Sequence, residues 1–573
     1  SQFGGKIEVS DGFVEKLFKI DGLVDRIVNL SGAAVDKEVK KTDGAKRATV
    51  FVPKLADAEW AGTSKSQECT LILTEGDSAK ASAIAGLSIV GHQKYGVFPL
   101  RGKVINPCDL SADKIAANAE VTALKKIIGL QVGKKYTTTA ELRYGRIMLL
   151  TDADVDGTHI RGLLINLFLH LWPELLKIDG FLCTMLTPVI KVYPSGTIRK
   201  GKSVDFYNQS DYENWRLKQV GKIPPNVYLK GLGSSGSEDA KDWFRNLRIV
   251  AYTWDETNSK EALMKSFDKK RADDRKVWLS EYDITKTLDY GSTDVSYEEF
   301  VEKDLVHFSI YDLARSIPSV VDGLKVSQRK ALFACRKRNL YKGEVRVAQL
   351  AAYAAEVSMY HHGEASMQGT LISMAQDFVG SGNNVPLLLA IGQFGTRLLG
   401  GDDSASPRYI HTRLTKLAAL IFPKEDDAIL DYLDDDGHPV EPKYFLPIIP
   451  MILLNGASGI GTGFSTSVPS YNPVEVVDSV RNWITKKNND ADVTITNILK
   501  SPWHRGFTGT IEEVGDPSGS ASAKLRSRGI VTRIPMSPKI RVTELPIGYW
   551  TENFKEALEV LIEKSADIKG YVN

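Results

Sequence analysis

Three aspartates alternate through the stretch TDADVDG, at positions 152, 154 and 156. On an extended chain alternate side chains share a face, so these carboxylates repel one another unless positive charge sits among them. A solvated acidic turn is one reading. A calcium loop of the EF-hand type is another, since Asp152, Asp154, Asp156 and Gly157 match its positions 1, 3, 5 and 6. That loop needs a bidentate glutamate at position 12, where Leu163 stands. The preceding GRIMLL is a short apolar run that reads as a buried strand. The carboxylates therefore sit at the carboxyl end of a strand, where open α/β sheets hold their ligands, and magnesium is the counter-ion suited to them. Upstream, LTEGDSAK places Glu75 at the end of another strand. It either joins the aspartates as a further ligand or, with Asp77, favours the start of the following helix.

A second chemistry is suggested by GQFGTRLLGGDDSASPRYIHTR, residues 392 to 413. A lone tyrosine is ordinarily a packing residue. Tyr409, however, follows a glycine-rich loop and stands directly after Arg408. A phenol of ordinary pKa near 10 is protonated at neutral pH, so a nucleophilic tyrosine needs a nearby cation or base. Arg408 supplies a permanent cation that can also brace a phosphate bidentately.

A chain of 573 residues is too long for one core and implies about four domains. With 43% hydrophobic and 25% charged residues it has an ordinary globular composition. The first residues have no apolar signal-peptide core, and the most apolar run, GLLINLFLHLWPELL, is short and interrupted by Asn166, His170 and Pro173. Neither a membrane segment nor secretion is expected. The four cysteines, at 69, 108, 183 and 335, form no CxxC pair, which suits a reducing intracellular compartment. A formal net charge of +2 conceals two opposed blocks. Residues 325 to 346 hold eight basic residues against one acid, while residues 424 to 441 hold eight acids against one lysine. The basic block points to phosphate backbones, with a solvated helix face as the alternative.

The elements that must position these groups follow from pattern. From about 66 to 200, ECTLILT then SAKASAIAGL, and GRIMLL then HIRGLLINLFLHLW, alternate strand and helix, implying a parallel sheet wrapped by helices. Residues 206 to 300 carry no clear pattern. From about 305 to 420 the chain turns helical, with Ser327 as the expected N-cap of QRKALFACRKRNL, in a manner suited to a winged-helix module. A final amphipathic helix, ENFKEALEVLIEKSADI, closes the chain. GTIRKGKS, residues 196 to 203, fits a phosphate-loop pattern, but the strand-like VDFY after it predicts a β-hairpin with a basic tip instead.

The Glu75 and Asp152 elements, in that order, resemble the Toprim domain. TEGDSA, PLRGK, TDADVDG, KGLG, RSIPSVVDGLK, HHGE, GQFGTR with SPRYIHT, NGASGIGTGF and TELPIG, in one chain and in that order, resemble a eukaryotic type IIA DNA topoisomerase. That resemblance implies a multidomain α/β plus α+β architecture. A connector would span 1–50, a Toprim doubly wound parallel sheet with an insert 51–265, a linker 266–305, a winged-helix DNA-binding domain 306–445, and a mixed α/β tower domain 446–573 leading into a coiled coil. It implies that Tyr409 attacks a DNA phosphate and keeps the 5′ end, with Arg408, His362 and Arg315 assisting. Glu75, Asp152 and Asp154 would bind Mg2+, Asp156 serving a second ion, and Mn2+ or Ca2+ could substitute. Ile460 would wedge between base pairs, and Lys325, Arg329, Lys330, Lys103 and Arg101 would touch DNA. Further implied are a homodimer on double-stranded DNA with active sites shared between subunits, no membrane, a nuclear or also mitochondrial location, and ATP used only by an amino-terminal domain not visible in the chain. Departures are Val326 and Ser327, where the family commonly has proline and glycine, and His504 at a usually aromatic position. A silent architectural DNA-bending protein and a Toprim nuclease are the alternative readings. The first could dispense with Tyr409 or the carboxylates, and the second leaves Arg408 and Tyr409 unexplained.

Overall fold

The computed structural model describes residues 40–198, 201–219, 223–229, 231–289, 291–435, 438–488, 501–514, 524–564 and 568–572. Most of the connector expected over residues 1–50 lies outside the described residues. The chain divides into two compact units, Ser1–Tyr311 and Asp312–Asn573.

In the first unit, β1 (Thr70–Glu75) is buried along its whole length except for the half-buried Glu75. A strand apolar on both faces belongs in a parallel sheet covered on both sides. After β1 come α1 (Gly76–Val90), β2 (Tyr95–Leu100), β3 (Arg146–Leu150), α2 (Val155–Leu171) and β4 (Leu182–Met185). β1 pairs in parallel with β2 and β3, and β3 with β4. Three short strands follow, β5 (Ile190–Val192), β6 (Val204–Phe206) and β7 (Asn226–Tyr228), forming a separate antiparallel sheet with β5 in the middle. The β5–β6 hairpin is the one expected from VIKVY and VDFY. Ser203 leads into a strand and opens no helix, which excludes a phosphate loop; Arg199 and Lys200 at the tip lie outside the described residues.

The chain then returns through α3 (Ser237–Arg245), β8 (Ile249–Thr253), α4 (Ser259–Phe267) and β9 (Asp294–Ser296). The main sheet has the order β2-β1-β3-β4-β8-β9, with β8 antiparallel to β4. The sheet is thus mostly, not wholly, parallel. The reading of residues 266–305 as a linker is corrected: β9 is the edge strand of this sheet, paired in parallel with β8. Its three residues are too short for a periodicity to show. Ile72, Met148 and Leu150 of the strands pack with Ala79, Ala83 and Leu87 of α1 and with Trp243 and Phe244 of α3. Burying each large apolar side chain stabilises by about 1.5–3 kcal/mol.

The division between units falls within α5 (Val306–Ser316). In the second unit α6 (Val326–Lys337), β10 (Val345–Arg346), α7 (Val347–Val357), α8 (Glu364–Ala375) and β11 (His411–Thr412) make three helices around a shared core and a two-stranded ladder. This is the winged-helix arrangement the pattern predicts. Ser327 is not the N-cap, because α6 begins at Val326. The Lys325 N–H is satisfied instead by Gln328 Oε1 at 2.9 Å. Antiparallel hairpins follow: β12 (Tyr432–Asp435) with β13 (His438–Pro442), β14 (Ala457–Ile460) with β15 (Ser465–Val468), β16 (Thr510–Val514) with β17 (Lys524–Arg528), and β18 (Ile530–Arg533) with β19 (Ile540–Glu544). The closing helix is α9 (Thr551–Lys564). All four cysteines are free, and no described helix is long and apolar enough to cross a membrane.

Candidate active site

β1 and β3 are adjacent and in register, so their carboxyl ends bring Glu75 and Asp152 together. The Asp152 N–H donates to Glu75 Oε2 at 3.2 Å. Burial, with the charge of Asp152 next in importance, pushes the Glu75 carboxyl up to about 7. Burial also raises Asp152, against a hydrogen bond from the Leu232 N–H. Two half-buried carboxylates side by side, both raised by burial and Glu75 also by the charge of Asp152, are a pair of hard oxygen donors whose chemistry fits a divalent metal. Asp154 is nearby but already employed. Its Oδ1 accepts the Gly157 N–H at 2.8 Å and caps α2, where negative charge also meets the positive end of the helix. Asp156 is turned to Lys103, at 2.7 Å. Asp156, expected to serve a second ion, and Lys103, expected on DNA, thus face each other as an ion pair beside the acidic site. Among the described residues no three acidic, histidine or cysteine side chains converge into a ready-made cage. Arg101, 3.8 Å from Glu120, keeps an exposed side chain.

In the second unit Tyr409 is 68% exposed, although it lies between residues tied into the fold. Ile410 is buried, its carbonyl accepts the Val347 N–H at 3.0 Å, and the Pro407 carbonyl accepts the Ala348 N–H at 3.1 Å. The start of α7 thus holds the tyrosine from both sides. The glycine-rich loop before it is closed on itself. Asp403 accepts the Thr396 N–H at 2.8 Å and its hydroxyl at 2.6 Å, bonds that hold the Asp403 carboxyl below its ordinary range. Gly395, at φ +92°, lies so close to Gly401 that a Cβ would come within 2.5 Å of the Gly401 oxygen. The Arg408 guanidinium stands 5.2 Å from the centre of the Tyr409 ring. A phenol held out to solvent beside a fixed cation is poised for an anionic electrophile such as a phosphodiester.

Ile460 ends β14 at a hairpin tip and is 84% exposed, an apolar side chain offered to solvent with Phe464, 42% exposed, in the same tip. Asp312 ties this hairpin to α5, accepting from Thr462 Oγ1 at 3.2 Å and standing 3.6 Å from Arg315 Nε. His362 is half-buried, edge-on to Tyr360, and its neighbour His361 meets Asp435 at 3.1 Å.

The basic block is only partly a surface. Arg329 is buried and makes a two-pronged pair with Asp322, at 2.7 and 3.0 Å. Lys330 is held by Glu441 at 2.8 Å and the Ser358 carbonyl at 2.5 Å. Both are corrected from DNA contacts to internal braces. Lys325 remains half-exposed, and Lys337, Arg338, Lys342 and Arg346 are exposed. The sequence reading missed Asp322, Asp312, Asp403 and the Gly231–Leu232 backbone. Asp322, Asp403 and Gly231–Leu232 lie inside the quoted motifs RSIPSVVDGLK, GQFGTRLLGGDDSASPRYIHTR and KGLG, but no pattern there assigned them a role.

Family models match the chain in three consecutive stretches: the Toprim domain over residues 70–181, the C-terminal associated domain of TOPRIM over 185–313, and the A-type subunit of DNA gyrase/topoisomerase IV over 315–573. DNA topoisomerase 2 of Arabidopsis thaliana is 44% identical over 580 residues, covering 100% of this chain and 38% of that protein. DNA topoisomerase 2 of Saccharomyces cerevisiae is 44% identical over 574 residues, covering 100% and 39%. The chain thus spans about two-fifths of the length of these relatives. The crystal structure of the Plasmodium falciparum topoisomerase II DNA-binding, cleavage and re-ligation domain aligns with a TM-score of 0.69 at 42% identity, covering 92% of this chain and 70% of that one. Matched at 42% identity over 70% of that topoisomerase II domain and 92% of its own length, the chain belongs to the type II DNA topoisomerase family.

Proposed function

We propose that this chain is the DNA cleavage and religation core of a type II topoisomerase, which opens both strands of a duplex transiently so that another duplex can pass. The single observation that carries this reading is the exposed Tyr409 phenol, locked beside Arg408 by α7 and a closed glycine-rich loop. In the reaction the Tyr409 oxygen forms a bond to a DNA phosphorus as the bond from that phosphorus to the 3′ oxygen breaks. The phenol loses its proton and the 3′ oxygen gains one. One phosphodiester is exchanged for another, so religation by the reverse attack requires no ATP. Arg408 braces the phosphate, and Arg315 and His362 assist at the same centre. Ile460 enters the base stack and bends the duplex, a wedge that unstacks a base step for a few kcal/mol and brings more protein against DNA. Glu75 and Asp152, with the free oxygen of Asp154, would hold Mg2+. A bound divalent cation supplies stabilisation of the charge on phosphate and leaving oxygen.

The assembly we propose is a homodimer on double-stranded DNA, the tyrosine of one subunit working with the carboxylates of the other to make two staggered cuts. ATP would act in a separate amino-terminal domain of the whole enzyme. A nuclear site of action is proposed; a mitochondrial DNA topoisomerase 2 from Dictyostelium discoideum is 41% identical over 588 residues, covering 99% of this chain and 43% of that protein. Incubation with supercoiled plasmid and Mg2+, followed by denaturation, tests the reading. Wild type is expected to leave protein covalently on DNA and Tyr409→Phe none; equal adduct from both overturns it.

A further inference from the structure

One contact at the acidic site is made by backbone alone. The Leu232 N–H donates to Asp152 Oδ1 at 2.7 Å. A Cβ on the neighbouring Gly231 would stand 2.8 Å from Asp152 Oδ2 and 3.2 Å from its Cγ, inside the roughly 3.5 Å at which non-bonded atoms begin to repel. Gly231 has φ −175°, an extended conformation open to any residue, so glycine is required here for room and not for conformation. The pair of residues is itself well anchored. Leu232 is 2% exposed and packs in the core with Ala79 and Ala83 of α1, and its carbonyl accepts from Ser82 Oγ at 3.4 Å. α1 begins directly after Glu75, so one helix fixes both the Glu75 end of β1 and the loop that grips Asp152.

We infer that Gly231 and the Leu232 amide form a positioning clamp that sets the Asp152 carboxylate for a divalent cation: the amide holds Oδ1, and the missing side chain at 231 leaves Oδ2 free to ligate. This rests on the cation-binding reading of Glu75 and Asp152 given above. A hydrogen bond to a ligating carboxylate fixes its rotamer and its free lone pairs, and loss of such support lowers metal affinity about 10- to 100-fold. An alanine at 231 must either turn the carboxylate or break the amide bond, and each outcome misplaces Oδ2.

The test uses the whole chain in three forms: wild type, Gly231→Ala, and a form with leucic acid in place of Leu232, in which an ester keeps the side chain and removes only the N–H. Calorimetry establishes that each is folded, and the ester form decides the question if Gly231→Ala is not. Mn2+ binding without DNA, followed by electron paramagnetic resonance, is expected to weaken by about 10- to 100-fold in both variants. The Mg2+ concentration giving half the maximal covalent adduct is expected to rise by a similar factor, with yield recovering at saturating Mg2+. A merely structural role would lower the yield at every Mg2+ concentration, and that result overturns the clamp. So do unchanged Mn2+ affinity and unchanged half-saturation in a folded variant, while a cation-dependent adduct in wild type leaves the functional reading standing. A wild-type chain that binds no Mn2+ overturns the cation reading and the clamp with it.

Discussion

Replacing Asp322 by alanine is expected to destabilise the second unit by about 3–5 kcal/mol. Asp322 has 0% of its surface exposed, and its two oxygens accept hydrogen bonds from the Leu324 N–H (3.0 Å), Arg329 Nε (2.7 Å), Arg329 Nη2 (3.0 Å) and the Phe445 N–H (3.0 Å). Arg329 is itself only 6% exposed. Truncation strands a buried guanidinium and two backbone donors, each unsatisfied donor costing about 1–3 kcal/mol. The upper end of those terms exceeds 5 kcal/mol, but water entering the gap and the Leu324 carbonyl that Arg329 Nη2 keeps at 2.9 Å recover part of it, which brings the figure to that measured for broken buried pairs. For a unit of this size the change lowers the melting temperature by about 2–4 °C per kcal/mol, or roughly 10 °C in all. Calorimetry on the whole chain, following the transition of the unit from Asp312 onward, reads this directly. Replacing both partners together, Asp322→Leu with Arg329→Met, is expected to recover the part of the loss that comes from the stranded guanidinium, while the Leu324 and Phe445 N–H groups stay without their acceptor. A shift below about 2 °C for Asp322→Ala would refute the reasoning. It would mean that the Arg329 guanidinium reaches solvent, and Arg329 would return as a DNA contact.

The exposed cations should behave oppositely: Arg338→Ala and Lys342→Ala are each expected to reduce the slope of log affinity against log salt by about 1 with melting unchanged, whereas Arg329→Ala lowers melting and leaves the slope alone. Fluorescence anisotropy with a labelled duplex between about 50 and 200 mM salt separates the two behaviours. Ile460→Ala, at an 84% exposed position, is expected to change stability by no more than about 0.5 kcal/mol while reducing duplex bending seen by energy transfer between labelled DNA ends; an unchanged bend removes the wedge. Gly395→Ala meets both φ +92° and the Gly401 oxygen at 2.5 Å, a strain of about 1–3 kcal/mol, and is expected to cut adduct yield about tenfold or more by loosening the Tyr409 loop. Glu544 is buried, which works to raise its pKa, but the Thr508 N–H, the Thr508 hydroxyl and Arg397 outweigh burial and hold it below the usual carboxylate range. Its stabilising contribution is therefore full above the unfolded carboxylate value of about 4.3 and is lost as pH falls through the depressed folded value; Glu544→Gln should flatten the acid limb of stability against pH, and an unaltered limb would contradict this.

The strands that end at Glu75 and Asp152 were legible because their environment leaves a mark on composition. β1 and β3 are buried on both faces and read as unbroken apolar runs, and the glycine and acids after each announce the turn into a helix. β9 left no such mark: three residues, Asp294–Ser296, pair with an edge, and only tertiary context makes them a strand. Ser327 misled for a related reason. Serine before a helical pattern favours an N-cap, but here Gln328 reaches back to the Lys325 amide and the helix starts earlier. Tyr409 and Arg408 were legible as chemistry, while the bonds that aim them, from Asp403 to Thr396 and from the α7 amides to Pro407 and Ile410, join residues that carry no pattern.

The charge pattern shows most clearly why a count along the chain differs from charge at a surface. Eight cations between 325 and 346 and eight acids between 424 and 441 looked like two separate patches. In the fold they partly neutralise each other: Arg336 meets Asp427 at 2.6 Å and Lys330 meets Glu441 at 2.8 Å, contacts spanning 91 and 111 residues of sequence. Arg329 is consumed by Asp322, which precedes the helix that carries it. The inward face of α6 therefore uses its cations to brace the core, and the exposed positive charge shifts to Lys337, Arg338, Lys342 and Arg346, at the end of α6 and the turn into β10. Arg346 is the register partner of His411, two positions beyond Tyr409. Positive charge thus stands on the ladder that begins two residues after the tyrosine. Arg346→Ala should accordingly weaken duplex binding and reduce the salt slope by about 1 without disturbing the loop that holds Tyr409. An unchanged slope would place the duplex on some other face of the unit.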